Sequence, residues 1–312
     1  MSRMRTPNVY VVWLEWPEKC FRASGEDIRF LKSLVPEGSR VVRVRSEAAF
    51  LRALPEATHA IVWHFSEEWF ARAPRLRVLA TPAAGRELLP KEGPKGVAVH
   101  FGGFHGAIMA ETVAAYVLAW ARGLFWMAGR GCSVRDWPRT WLSDKCFTVA
   151  GTKAVIVGYG RIGRAVGAKL EALGVSVVGI TRRAPNDLKS READLRSADW
   201  LVLALPSDTG TDDILNRRLI AKLPRRCVVV NVGRGNAVDE GALLAALESG
   251  RLAGACLDVF KGEPTFRRGE PTILARGAAH LPRNLVTMPH ASAFSSRYLK
   301  ECFMELKSDG LL

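Results

Sequence analysis

The run Ala154-Val155-Ile156-Val157-Gly158-Tyr159-Gly160-Arg161-Ile162-Gly163 joins four apolar, strand-forming residues directly to a G-x-G-x-x-G turn. A helix is expected next, because Ile162, Val166, Leu170 and Leu173 recur on one face and Gly174 is placed to end it. A second apolar run, Val175–Ile180, follows. Strand, glycine turn, helix, glycine and strand in that order form a dinucleotide-binding βαβ unit. Gly158 makes the tight turn, Gly160 lets backbone approach a pyrophosphate, and Gly163 allows helix and strand to pack closely. Tyr159, Arg161 and Ile162 complete the cofactor-binding turn, and the helix start offers N–H groups to the phosphates. At the end of the second strand an NAD site places a carboxylate for the ribose 2′-OH. This chain has Thr181-Arg182-Arg183 there, a hydroxyl and two guanidiniums suited to a 2′-phosphate, so NADP(H) is the expected cofactor, with NAD(H) as the lesser option.

Outward from this unit, short apolar runs alternate with helical patterns along the whole chain. Strands are expected at Ala154–Val157, Val175–Ile180, Trp200–Leu205, Cys227–Val232, Ala255–Val259 and Leu285–Met288, the complement of a doubly wound sheet. An earlier series covers Val9–Leu14, Arg40–Val44, Ala60–Trp63, Leu76–Ala80 and Val97–His100. Ala107–Trp126 reads as one long apolar helix, the natural arm between two domains. The last 22 residues, too short to fold alone, are expected to pack back on the first domain. The fold class is therefore α/β with two domains. A Rossmann-type parallel sheet spans 107–289, and a smaller flavodoxin-like α/β substrate domain takes 1–106 and 290–312.

The 312 residues include 45 Lys and Arg against 31 Asp and Glu, a net charge of +14. Residues 1–106 hold 16 basic and 11 acidic side chains, residues 107–289 hold 26 and 17, and the tail is balanced. The excess is dispersed in pairs such as Arg217-Arg218 and Arg267-Arg268, without the basic run of a nucleic-acid tail. Small anionic ligands fit that surface better than nucleic acid. The longest stretch free of charged residues, Gly96–Ala110, has 15 residues with four Gly and two His, too short and polar for a membrane span. Six scattered cysteines without a Cys-x-x-Cys pair read as reduced thiols, and no signal peptide is evident at the start, so a cytoplasmic location is expected. His59, His64, His100 and His280 lack metal-ligand spacing, and no metal is expected.

Further motifs resemble those of the D-isomer-specific 2-hydroxyacid dehydrogenases over almost the whole chain. They are Leu205-Pro206, Asn231-Val232-Gly233-Arg234-Gly235, Asp258-Val259-Phe260-Lys261-Gly262-Glu263-Pro264 and Pro289-His290-Ala291-Ser292. The order Arg, Glu, His and the 29 positions from Arg234 to Glu263 fit the family. The resemblance implies Arg234, Glu263 and His290 as the catalytic set: a fork for carboxylate and carbonyl oxygens, a partner for the imidazole, and a proton donor. It adds Leu205, Pro206, Val232, Gly233 and Asp258 to the cofactor contacts. Thr81-Pro82-Ala83-Ala84-Gly85 resembles the loop whose amides hold the substrate carboxylate, which makes Ala84, Gly85 and Arg234 the substrate-binding residues.

The implied activity is reduction of a small 2-keto acid of the glyoxylate or hydroxypyruvate type. A homodimer is implied too, with Ala107–Trp126 and Asp136–Phe147 near its interface. Arg86-Glu87 departs from the family, which usually has an apolar residue and an Asp there, and bears on substrate identity. His105, before Ala110-Glu111, suits a cleft or a structural role equally. Phosphite or formate oxidation on the same fold is an alternative, as is a dinucleotide-sensing, corepressor-like protein. A pure sensor has no need of a proton donor.

Overall fold

The computed structural model describes residues 7–86, 88–128, 133, 135–181, 190–207, 209–263, 273 and 280–312. Arg182 and Arg183 lie outside these residues. The chain divides into two compact units, Met1–His105 with Phe294–Leu312, and Gly106–Ala293.

The first unit is built on five parallel strands, β1 (Val9–Trp13), β2 (Arg40–Arg43), β3 (His59–Val62), β4 (Val78–Thr81) and β5 (Ala98–Phe101), in the order β2-β1-β3-β4-β5. The order reverses between β1 and β3, the topological switch point of such a sheet. Val9, Val11, Ala60, Val62 and Leu79 point into one core with Phe50 and Leu54. Helix Gly25–Leu34 starts at a capping box, with Ser24 and Asp27 each accepting from the other's main chain. The C-terminal helix Tyr298–Ser308 belongs to this unit, where Lys300 pairs with Glu26 at 2.5 Å and Glu305 accepts from the Gly103 N–H at 2.8 Å.

The second unit holds six parallel strands, β6 (Lys153–Val157), β7 (Ser176–Ile180), β8 (Trp200–Leu203), β9 (Val228–Asn231), β10 (Gly254–Leu257) and β11 (Leu285–Thr287). Their order is β11-β10-β9-β8-β6-β7, with the reversal between β6 and β8. Alternation along the strands feeds two cores. Val155, Val157, Leu201, Leu203 and Val229 enter one; Ala154, Ile156, Trp200, Val202 and Val230 enter the other. A parallel sheet covered on both faces needs such apolar runs. The second core is completed by Val113, Val117 and Trp120 of helix His105–Ala121. That helix is shorter than the expected arm through Trp126. Gly123, at φ +69° and close against Leu142, makes a left-handed turn before the separate short helix Leu124–Met127.

Among the described residues no helix is long and apolar enough to cross a membrane. Cys227, Cys256 and Cys302 are buried free thiols, and burial pushes the Cys227 thiol up to about 12.

His59 opens β3 in the core, with its ring stacked on Tyr10 at 4.2 Å and its Nδ1 paired with the Thr58 hydroxyl at 2.8 Å. Burial, aided by the Arg77 charge, lowers its pKa from 6.5 to about 4. Between those values the unfolded chain binds a proton that the folded chain refuses, so stability falls as the solution is acidified from pH 6.5 toward 4. One proton sets a slope of at most about 1.4 kcal/mol per pH unit. Urea midpoints measured across this range should drop more steeply for the wild type than for His59→Phe; parallel curves would disprove the role of His59.

Candidate active site

The carboxyl ends of β6, β8 and β9 meet main chain to main chain. The Ala204–Leu205 peptide, just beyond β8, is pressed from both sides. A Cβ on Gly158 would lie 2.5 Å from Ala204 O, and one on Gly233 would lie 2.5 Å from Leu205 N. Gly158 also adopts φ +97°, which other residues rarely take. Gly163 meets the Gly158 carbonyl just as closely, bringing the helix Arg161–Glu171 down on the strand.

Gly160 is different. Its φ is −86°, and a Cβ there would meet nothing within 4 Å. Neither backbone conformation nor protein packing requires this glycine, whereas a phosphate resting on the main chain does. Gly160 is the N-cap of Arg161–Glu171 without a side-chain cap, and the Arg164 N–H is bonded to Gly160 O at 2.9 Å. The exposed turn and the helix start thus fit a dinucleotide pyrophosphate.

The other expected cofactor residues divide by what their side chains do. Tyr159 turns inward. Its ring covers Gly179 of β7, its hydroxyl reaches Gly167, and its N–H donates to Ile180 O at 3.1 Å. The Tyr159 side chain therefore packs helix against sheet, leaving main chain as its means of contact with a ligand. Leu205 and Val232 are likewise buried in the two cores, Ile162 packs against one of them, and Pro206 and Arg161 are exposed. Thr181 is exposed at the end of β7 and helps line a recess of about 270 Å³ with Gly179, Ile180, Ser190 and Arg191. Arg191 escaped the sequence reading because it stands well beyond the strand end that the motif points to. It pairs with Asp194 at 3.5 Å.

Arg234 is held by its neighbours. Buried Asn231 accepts from the Gly233 N–H and donates to Arg234 O, both at 3.1 Å. A Cβ on Gly235 would fall 2.0 Å from the Phe260 carbonyl carbon, so the loop beyond β9 also lies against the loop beyond β10. The Arg234 guanidinium donates to Gly233 O at 2.9 Å.

His290 Nδ1 and Glu263 Oε1 come together at 2.6 Å, and the other Glu263 oxygen accepts from the Phe260 N–H at 3.1 Å. A carboxylate on Nδ1 assigns that nitrogen the hydrogen. The His290 side chain is 52% exposed, leaving Nε2 turned from Glu263 as the nitrogen for a ligand. His290 has φ +51°, a left-handed conformation at a non-glycine residue. Asp258 holds it there: its carbonyl accepts from the His290 N–H at 2.8 Å, and its carboxylate accepts from Ala291 at 2.7 Å and Ser292 at 3.0 Å. Asp258 is fully buried, and its carboxylate builds the His290 turn. Buried Glu240 plays a similar part, accepting from Lys261 at 2.9 Å and Ile273 at 2.6 Å. A glutamate in the first turn of helix Glu240–Glu248 carries no sequence signal for that task.

In the first unit Ala84 is exposed and Gly85 half-buried, on a loop braced by Gly102, whose N–H donates to Thr81 O and Ala83 O at 3.0 and 2.9 Å. Arg86 places its guanidinium over the Phe101 ring at 5.5 Å, while Glu87 lies outside the described residues. His105 is buried, with Nε2 2.8 Å from the Tyr298 hydroxyl. Among the described residues His100, Glu305 and Asp309 are near enough to share an ion, but both Glu305 oxygens accept from the Gly103 N–H.

Residues 114–292 match the model of the D-isomer specific 2-hydroxyacid dehydrogenase NAD binding domain. The glyoxylate/hydroxypyruvate reductase B of Pectobacterium carotovorum subsp. carotovorum (strain PC1) is 33% identical over 247 residues, covering 74% of each chain. The NAD-complexed D-isomer specific 2-hydroxyacid dehydrogenase of Lactobacillus delbrueckii ssp. bulgaricus superposes with a TM-score of 0.76 at 17% identity, over 97% of this chain and 96% of that one. A D-isomer specific 2-hydroxyacid dehydrogenase from Xanthobacter autotrophicus Py2, in complex with NADPH and MES, gives 0.68 at 24% identity, over 98% and 96%. At these identities the two structures speak for the fold.

The two turn glycines separate ligand from packing. Gly160→Ala should leave the thermal midpoint nearly unchanged, a surface effect within about 0.5 kcal/mol, yet weaken NADH and NADPH about tenfold or more in fluorescence titrations. Gly158→Ala should lower the midpoint itself, since the strained φ alone costs about 1–3 kcal/mol. Equal loss of stability in both variants would remove the ligand explanation for Gly160.

Proposed function

Because the chain belongs to the D-isomer specific 2-hydroxyacid dehydrogenase family, we propose that it reduces a small 2-keto acid, of the glyoxylate and hydroxypyruvate type, to the D-2-hydroxy acid with NADPH. The observation that carries this reading is the 2.6 Å pair of His290 and Glu263, set on a turn that Asp258 holds from within. Bound at the glycine turn, the nicotinamide cofactor supplies the hydride. His290 Nε2 gives a proton to the carbonyl oxygen as that oxygen gains charge, and Glu263 stabilises the imidazolium that precedes this step. The planar Arg234 fork binds the substrate carboxylate and polarises the carbonyl, while the amides of Ala84 and Gly85 hold the carboxylate. In the oxidative direction His290 takes the proton back. An exposed imidazole oriented by a carboxylate serves proton transfer, which favours this reading over a dinucleotide sensor.

For the cofactor, the support is Thr181 in place of a carboxylate, the following Arg182-Arg183, and Arg191 in the recess at the end of β7. For the assembly, Leu124 at 59% and Trp137 at 70% exposure support a homodimer that covers them. A monomer mass by light scattering would remove that part.

His290→Ala should cut kcat by about 10²–10⁴ while leaving NADPH affinity nearly intact; wild-type turnover in this variant would overturn the proton-donor role. Cofactor choice is read from kcat/KM on a panel of 2-keto acids with NADPH and with NADH. Preference for NADPH should be about tenfold or more, and Arg182→Ala should reduce it by weakening NADPH alone. Equal use of the two cofactors by the wild type would remove Arg182 and Arg183 from the 2′-phosphate role.

A further inference from the structure

The first unit carries an aromatic group that runs from the core to the surface and that the hydride chemistry does not account for. Trp16 follows β1 and Trp63 follows β3, so the two indoles stand at the carboxyl edge of the sheet on either side of its switch point. Open α/β sheets bind ligands in the crevice at that place. The rings of Trp16 and Trp63 are 5.5 Å apart, and Phe21 touches both Trp63 at 5.6 Å and Phe294 at 5.1 Å. Tyr298 lies beneath, 4.6 Å from Phe21, with its hydroxyl 3.5 Å from Pro82 O. Trp63 is fixed by its own indole N–H, which donates to Phe21 O at 2.9 Å.

Burial grades across the group. Tyr298 and Trp63 are 3% and 8% exposed, whereas Trp16 and Phe294 are 41% and 42% exposed. A buried aromatic floor with two open aromatic rims is a surface shaped to be covered. What it adjoins sets the kind of occupant. Pro82 starts the Pro82–Gly85 loop, the loop read above as the holder of the substrate carboxylate. An acid anchored by those amides has its carbon-3 substituent as the part left to cover apolar rings.

We propose that Trp16, Phe21, Trp63 and Phe294 form the wall that recognises the carbon-3 substituent of the substrate, and that the preferred 2-keto acid carries an apolar, planar group there. The inference rests on the 2-keto acid reading and moves its substrate from the glyoxylate and hydroxypyruvate type to an aryl-bearing one. Glyoxylate has no such substituent and hydroxypyruvate a small polar one, so neither gains from ring contact. An aryl group stacks or meets the rings edge-on over an area of about 150–250 Å². The departure at Arg86, which lies over Phe101 in the same unit, is consistent with a substrate unlike those of the relatives.

The test compares phenylpyruvate with hydroxypyruvate, using the full-length protein and the cofactor it uses. Wild-type kcat/KM should favour phenylpyruvate by about tenfold or more, the scale of a well-filled apolar pocket. Trp16→Ala and Phe294→Ala replace exposed side chains, and each should lower the phenylpyruvate-to-hydroxypyruvate ratio about tenfold, with Trp16→Phe restoring most of it. A wild-type preference for hydroxypyruvate, or an equal loss on both acids in Trp16→Ala, would overturn the proposal. Calorimetric titration of phenylpyruvate in the presence of oxidised cofactor keeps it separate from the reaction. Binding that Trp16→Ala abolishes, in a protein that reduces no 2-keto acid, would uphold the wall and sink the reductase reading. Unaltered binding in Trp16→Ala would do the opposite to the wall.

Discussion

The constraint on which the second unit depends is the close approach of main chains at the carboxyl edge of its sheet. The Ala204–Leu205 peptide is clasped between Gly158 and Gly233, and the Phe260 carbonyl presses on Gly235. Loops beyond β6, β8, β9 and β10 thus form one continuous layer of backbone. A Cβ at any of these glycines would part the layer, because nothing there is the far end of a flexible side chain. Arg234 stands between two of the contacts and takes its place from them. Residues set on rigid strand ends, with their loops locked by neighbours, are held to one placement.

A second set of interactions works through buried polar groups. Asn231, Asp258 and Glu240 each use their side chains on backbone amides of a loop that bears Arg234, His290 or Glu263. Such groups are costly to leave unpaired in the interior, so each loop is tied to one arrangement. Asp258 does the most demanding task, holding a histidine in the left-handed region with three amides. Glu263 joins the two kinds of role, with one oxygen on backbone and the other on the His290 ring. The net charge of +14 gives the molecule a field that attracts small anions.

Much of this was legible in the amino-acid order. The strand–glycine–helix unit, both parallel sheets and the family motifs rest on local patterns: periodicity, turn chemistry and spacing. Those patterns are set by forces between residues near in sequence, so they survive in a one-dimensional reading. The inward turn of Tyr159, the break at Gly123, the brace of Asp258 and Glu240, and the assembly of Trp16 with Trp63 and Phe294 do not. Each depends on residues tens to hundreds of positions apart, brought together by strand order and close packing. Whether a given side chain faces a ligand, a core or a backbone amide is decided by what the tertiary fold leaves beside it.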